Sequence, residues 1–100
     1  MGRVVLIGAV LWAGAARADF GPFAFACEDG TRFVVTFTEG RRALLAVDGA
    51  EAEVLPQVEA GSGIWYASEH YSYREHQGVV DFATLQRGAI VRETVCRRAS

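Results

Sequence analysis

Lysine is absent from this chain of 100 residues, whose ten basic side chains are all arginines. Twelve acidic residues outnumber them and give a formal net charge of −2 at pH 7. Proteins that bind nucleic acids usually present an excess of basic side chains that neutralise phosphates, and this chain has no such excess. The composition therefore argues against nucleic-acid binding and favours partners that carry positive charge.

The chain also lacks a hydrophobic run near its start that is long enough to cross a membrane. The uncharged, mostly apolar stretch Val4–Gly14 has eleven residues, and a helix of that length cannot span about 30 Å of hydrocarbon. It follows a positive start at Arg3, and Ala16 and Ala18 are small residues where a signal peptidase reads the chain. We therefore expect residues 1–18 to be a signal peptide and residues 19–100 to be one mature domain, periplasmic or secreted.

A lipid-attachment site is missing as well. No cysteine directly follows the apolar run, and Cys27 lacks the leucine that usually precedes a lipidated cysteine. We therefore expect the mature chain not to be anchored in the membrane. Removal of residues 1–18 leaves eight arginines against twelve acidic residues, a formal charge of −4, which would attract basic partners.

Cysteine is scarce, since only Cys27 and Cys96 are present. Oxidising compartments favour disulfides, and a small exported domain gains from one because its core is small. A bridge between the two cysteines would close a loop of about 70 residues and stabilise the fold by about 4 kcal/mol on the chain-entropy estimate. Two free thiols or a metal pair are the alternatives, and export favours the disulfide.

Short segments with strand character follow one another at regular spacing, and amphipathic helical periodicity is missing. Arg32–Thr38 shows the pattern most clearly, because apolar side chains alternate there with arginine and threonine, as in a half-buried strand. We predict eight strands, Phe23–Cys27, Arg32–Thr38, Arg41–Val47, Ala50–Leu55, Ile64–Ala67, His70–Glu75, Val79–Leu85 and Ala89–Cys96. The predicted fold is all-β, a small eight-stranded antiparallel β-barrel closed by one disulfide, with a β-sandwich as the alternative.

Two positions carry further expectations about where strands end. Pro56 is expected to end the fourth strand or to mark a sheet edge, because proline has no N–H to donate to a neighbouring strand. Residues 97–100 are expected to fray, as chain ends commonly do. Most of the predicted strands are separated by a glycine next to a polar residue, and we expect the turns at these positions.

Enzyme signatures are missing. The chain has no Gly-x-Ser-x-Gly motif and no phosphate-binding loop, and Ser62 has no third group that would complete a triad with His70 or His76. The two histidines, with Glu69 and Glu75 beside them, form the one metal-like cluster, and a solvated rim is the simpler interpretation. We therefore expect neither catalysis nor a cofactor.

Four short segments follow one another in a distinctive order and spacing, namely Phe25–Thr31, Val34–Phe37, Leu55–Val58 and Ser62–Tyr66. Together they give the chain, from Phe23 to Cys96, a resemblance to the membrane-bound and periplasmic inhibitors of c-type lysozyme. The last segment has the Ser-Gly-x-x-Tyr pattern of the family's first motif. An early cysteine that pairs with a terminal one is a further family feature.

The resemblance implies an eight-stranded barrel whose loops enter the lysozyme cleft and block it. Ser62 would place its hydroxyl against the enzyme's catalytic carboxyl groups. Gly63 would let the backbone pass close to the wall of the cleft. Tyr66 would brace the loop or contact the enzyme, since tyrosine is a common interface anchor.

The family's second motif is altered in this chain. The resemblance predicts an aromatic strand that leads to a Lys-Gly pair, whereas Gln77 precedes Gly78 here. Either Arg74 or His76 would then supply the positive charge, or Gln77 would donate a neutral hydrogen bond. Tyr73, on the aromatic strand of this motif, is a further predicted contact with the partner.

The sequence thus predicts a non-catalytic inhibitor that inserts a Ser-Gly loop into the active-site cleft of c-type lysozyme. The alternative is a small ligand-binding or structural periplasmic β-barrel without inhibitory activity, because a fold does not determine a function. A metal-binding or hydrolytic role ranks third.

Overall fold

Eight strands close into an antiparallel barrel in the computed structural model, which describes residues 20–99. The strands are β1 (Phe23–Cys27), β2 (Arg32–Thr38), β3 (Arg42–Val47), β4 (Glu53–Val58), β5 (Ile64–Ala67), β6 (Tyr71–His76), β7 (Val79–Gln86) and β8 (Ala89–Arg98). Each strand pairs with its neighbour along the chain, and β8 pairs with β1. The predicted barrel is therefore confirmed, whereas the predicted signal peptide lies outside the described residues.

The alternation of side chains explains why these segments form a barrel with a single core. In β2, Phe33 and Val35 are buried while Val34 between them is 41% exposed, which is the two-residue period of a strand with one wet face. The side chains that share the interior come from every strand. They include Phe25, Phe33, Val35, Leu45, Leu55, Tyr66, Tyr73, Val80, Phe82 and Cys96.

Aromatic rings fill the barrel interior. The ring of Phe33 lies 4.9 Å from that of Phe82 and 5.0 Å from that of Phe25, both in stacked orientations. The Tyr73 ring meets Phe33 edge-on at 5.9 Å. Eight strands leave an interior just wide enough for such side chains, so this packing gives no support to the alternative of a ligand held along the barrel axis.

The disulfide lies at the seam where the barrel closes. Cys27 in β1 and Cys96 in β8 are direct cross-strand partners, and their Sγ atoms are 2.02 Å apart. Three residue pairs make up this seam, and the covalent bond joins one of them. The predicted disulfide is therefore confirmed, and it joins the first strand to the last.

The fourth strand differs from its prediction. Residues 50–52 belong to the connection, because the Ala50 N–H donates to the Val47 carbonyl and closes the turn. The strand then runs through Pro56, which pairs with Arg42 of β3. The Gln57 N–H donates to the carbonyl of Arg41, on the β3 side of the strand. Because successive residues of a strand face opposite neighbours, the nitrogen of Pro56 faces β5, and the pairing of β4 with β5 begins only at Gln57. Pro56 therefore lies just outside the hydrogen-bonded part of the β4–β5 pair, and the strand continues past it.

The C-terminal end is more ordered than predicted. Strand β8 continues to Arg98, and the Ala99 N–H donates to the carbonyl of Ala24 at 2.9 Å. The guanidinium of Arg98 lies 4.5 Å from the centre of the Phe23 ring, a cation–π distance. The pairing of β8 with β1 therefore orders residues 97–99, which were predicted to fray.

Candidate functional site

Three connections meet at one end of the barrel, which we call the site end. They are residues 39–41 between β2 and β3, residues 59–63 between β4 and β5, and residues 77–78 between β6 and β7. Because neighbouring strands run in opposite directions, alternate connections must share an end. The other connections, residues 28–31, 48–52, 68–70 and 87–88, form the opposite end. The topology therefore brings both family-like motifs together.

Gly63 lets the loop of residues 59–63 lie directly against strand β6. Its φ is +73°, and a Cβ atom added there would overlap the Glu75 carbonyl oxygen and lie 2.8 Å from the Cβ of His76. Only glycine tolerates both conditions without strain. The sequence prediction assigned this close approach to the wall of a partner's cleft, whereas the structure shows that it is made by β6 of the same chain.

Ser62 lies immediately before this contact and is exposed. No hydrogen bond of its hydroxyl to another described residue is found within the range 20–99. Gly61 precedes it, and a Cβ atom added at Gly61 would meet nothing within 4 Å. The hydroxyl is therefore carried on a slim segment whose base is fixed at Gly63.

Tyr66 and Tyr73 support the site end from inside the barrel. Both are buried, with 8% and 3% of their surface exposed, and their ring centres are 6.2 Å apart. Phe37 contacts both rings, at 5.5 Å and 5.9 Å. Burial raises the pKa of both phenols. Both tyrosines thus lie in the core beneath the site end, where Tyr66 is placed to brace the loop, and a contact of either residue with a partner stays a prediction.

The altered second motif forms a tight turn next to the Ser62 loop. Gln77 and Gly78 have φ values of 55° and 83°, and the residues on either side of them, His76 and Val79, are cross-strand partners. Two positive φ values in a two-residue hairpin define a type I′ turn. The Gly78 N–H donates to the Glu75 carboxylate at 2.9 Å, so this acid is engaged within the turn.

His76 and Arg74 differ in how close they lie to the loop. His76 is exposed at the last position of β6, and its Cβ is, with the Glu75 carbonyl oxygen, one of the two atoms closest to Gly63. Arg74 lies on the outer wall, where its guanidinium is 4.9 Å from the centre of the Trp65 ring. Of the two cations predicted for the second motif, His76 is therefore at the rim of the site end, and Arg74 is stacked two residues behind it.

Arg41 also belongs to the site end, although the sequence analysis placed it in a strand. It lies in the turn between β2 and β3 with a φ of 59°, and it is exposed. A recess of 280 Å³ separates this turn from the Ser62 loop. The recess is lined by Arg41, Gln57, Val58, Glu59, Ala60 and Gly63. The sequence signal that could have placed it there is the Glu39-Gly40 pair: a turn of three residues that begins at Glu39 includes Arg41, and the strand then begins at Arg42.

A second polar cluster lies at the opposite end. The Nδ1 atom of His70 is 2.9 Å and 3.0 Å from the two carboxylate oxygens of Glu53, and the Ser68 hydroxyl donates to the same carboxylate. The length of β6 separates His70 from His76, about 20 Å at the rise of a strand. The histidines predicted as a metal-like pair are thus not brought together. Among the described residues, no group of three possible metal ligands is found.

Comparison with known proteins identifies the family of the chain. No curated protein matches it, and no solved structure does. A family model described as membrane-bound lysozyme-inhibitor of c-type lysozyme matches residues 25–92, which is more than half of the chain.

That description makes the members inhibitors, names c-type lysozyme as their partner and indicates a location outside the cytoplasm. In the described part of the chain, no helix has both the length and the apolar character needed to span a membrane. Since the match extends from β1 into the start of β8, it covers most of the barrel and both motifs at the site end. The chain therefore belongs to the family of membrane-bound lysozyme inhibitors of c-type lysozyme.

Proposed function

We propose that this protein is a non-catalytic inhibitor that inserts the Ser62 loop into the active-site cleft of a c-type lysozyme. The observation that carries the proposal is the placement of Ser62. Its hydroxyl is exposed on a slim loop at one end of the barrel, and the loop is fixed against the second motif through Gly63. The loop then blocks substrate by occupying the cleft.

The chemistry of the cleft suits a hydroxyl group. Glycosidases of this type use one protonated carboxyl group as a general acid and one ionised carboxylate beside the scissile bond. A serine hydroxyl can donate a hydrogen bond to the ionised group and accept one from the protonated group. The same hydroxyl on Ser62 therefore satisfies both groups of the enzyme in their working protonation states.

The rigidity of the loop base favours tight binding. Tyr66 and Tyr73 pack beneath the site end, and the positive φ of Gly63 fixes the path of the loop before a partner arrives. A loop that is already in its bound conformation loses less entropy on association. The barrel thus serves as a support that presents the loop without rearrangement.

Charge and location complete the proposal. The charge of −4 on residues 19–100 speeds encounter with basic lysozymes. Cys27, whose sulfur is committed to the disulfide, does not supply a lipid anchor, and we place the mature chain in the periplasm or among secreted proteins. There it protects the cell wall from lysozymes of a host or a rival.

The test is a cell-wall lysis assay with a c-type lysozyme and the purified mature chain. We expect Ser62→Tyr, which adds bulk at the loop tip, to raise the half-inhibitory concentration about 30-fold or more, as for the loss of an interface hot spot. Ala52→Tyr adds the same bulk to an exposed residue at the opposite end and is expected to leave inhibition unchanged. Equal inhibition by both variants, each correctly folded, would show that another surface enters the cleft.

A further inference from the structure

We propose that Arg41 supplies the positive charge of the inhibitory site, where its guanidinium binds a carboxylate of the lysozyme cleft while Ser62 binds beside it. The inference rests on the proposed function and adds a specificity-determining residue to it. Arg41 lies outside both sequence motifs, and its position follows from the barrel topology.

The backbone holds Arg41 beside the loop that carries Ser62. The Arg41 carbonyl accepts a hydrogen bond from the Gln57 N–H at 2.9 Å, so the turn is tied to the end of β4. The chain then enters residues 59–63, and Arg41 and Gly63 both line the 280 Å³ recess. A group of the partner that reaches Ser62 is therefore within reach of the Arg41 side chain as well.

The guanidinium of Arg41 is available for a partner. Within residues 20–99 no carboxylate lies within 4 Å of it, although Glu59 lines the same recess. The charge of Arg41 also opposes the rise in pKa that burial causes at the Tyr66 phenol.

The other arginines near the site end differ in position. Arg74 is stacked on Trp65, and Arg98 lies over the Phe23 ring. Arg42 folds back over Gly40 in the turn between β2 and β3, since a Cβ atom added there would lie 3.1 Å from its terminal nitrogen. Arg41 is the arginine that lines the recess beside the Ser62 loop.

Arginine is well suited to this contact. Its planar guanidinium can donate two parallel hydrogen bonds to one carboxylate, and it keeps its charge at every physiological pH. His76, the other residue at the rim that was predicted to supply the charge, carries an imidazole ring, whose two nitrogens cannot donate parallel hydrogen bonds to one carboxylate. Arg41 therefore offers a binding geometry that a histidine does not.

The matched control for Arg41→Gln is Arg87→Gln. Arg87 is also exposed and also lies in a turn with a positive φ, 53° against 59°, but at the opposite end of the barrel. Both variants make the chain more acidic by one charge, which strengthens its long-range attraction to a basic lysozyme equally. Any weaker inhibition that is found only in the Arg41 variant therefore reports a local contact.

We expect Arg41→Gln to raise the inhibition constant for a basic c-type lysozyme about 10- to 100-fold, the usual range for a hydrogen-bonded charge. Arg87→Gln should stay within about twofold of the wild type. Arg41→Lys keeps the charge but loses the bidentate geometry and should recover part of the inhibition. Thermal midpoints are measured for all variants, and Arg41→Lys is compared with Arg41→Gln at matched folded fraction.

The outcomes separate this inference from the proposed function. If the wild type inhibits and Ser62→Tyr does not, but Arg41→Gln behaves as Arg87→Gln does, Arg41 is not part of the site and the loop proposal stands. If Arg41→Lys is no better than Arg41→Gln, the charge is not what matters and the inference is wrong. A wild-type chain that fails to inhibit any c-type lysozyme overturns both proposals.

Discussion

Gly63 is the residue on which the geometry of the candidate site depends. It combines a positive φ with a backbone so close to Glu75 and His76 that no side chain fits between them. Gly61, two residues earlier in the same loop, has open space around it. Substitution of each glycine therefore separates two effects: the loss of a close backbone contact at Gly63, and the mere addition of a side chain at Gly61.

We expect Gly63→Ala to destabilise the protein by about 2–3 kcal/mol, because the added methyl group meets backbone and the φ becomes strained. Gly61→Ala is expected to change the free energy of unfolding by less than about 0.5 kcal/mol. Urea denaturation of both variants measures the difference. Equal stability of the two would mean that the loop is not held against β6.

The sequence allowed some of these residue roles to be predicted and not others. The Ser-Gly pair indicated an exposed loop because glycine and serine favour such positions. The burial of Tyr66 and Tyr73 was missed because a motif match says nothing about which face of a strand a ring occupies. Arg41 was missed because one residue decides whether a position lies in a strand or a turn.

At the scale of single elements, the turn between β1 and β2 is held by an acidic side chain. The Asp29 carboxylate accepts a hydrogen bond from the Thr31 N–H at 2.9 Å, and Arg92 of β8 lies 3.7 Å from it. The bonds from Thr31 and the charge of Arg92 hold the pKa of the Asp29 carboxyl below its ordinary value. The folded state thus prefers the ionised form more than the unfolded state does.

This preference predicts how stability depends on pH. A group whose pKa is lowered by folding stabilises the protein above its ordinary pKa, near 3.9, and loses that contribution as the pH falls through the folded value. We therefore expect the wild type to lose more stability than Asp29→Asn between pH 5 and pH 2. Thermal midpoints at several pH values measure this, and parallel curves for the two proteins would contradict it.

The strand pattern was the most predictable part of the molecule. Seven of the eight predicted segments lie within one or two residues of the observed bounds at each end, because glycine-containing turns interrupt a clear two-residue period. Strand β4 was predicted to end before Pro56, because proline commonly ends a strand, and it instead runs to Val58. Pro56 is tolerated because its nitrogen needs no partner at that point, and this depends on how the neighbouring strands pair in the sheet.

Glu53 illustrates the same limit. Its carboxylate, on β4, contacts Ser68 and His70 in the loop between β5 and β6. Strands β4 and β5 share only two residue pairs, so side-chain contacts supplement a short ladder. Contacts between side chains 15 and 17 positions apart arise from the pairing of β4 with β5, which local periodicity cannot reveal.

At the scale of the whole molecule, one disulfide joins the first strand of the barrel to the last. Cys27 and Cys96 are separated by 69 positions, so the bridge restricts most of residues 20–99 in the unfolded state. We expect the double variant Cys27→Ala, Cys96→Ala to lose about 4 kcal/mol of stability. Urea denaturation with and without reductant tests this, since reductant should destabilise the wild type and leave the variant unchanged. Identical midpoints for wild type and variant would contradict it.

The up-and-down order of the strands has a consequence for how such a molecule can be altered. Each connection at the site end belongs to a separate hairpin or loop; residues 42–58 separate the first from the second, and residues 64–76 separate the second from the third. A new target could therefore be addressed by exchanging three short loops while the framework is kept. Fluorophores or fusion partners attached at the opposite end would lie away from the proposed site.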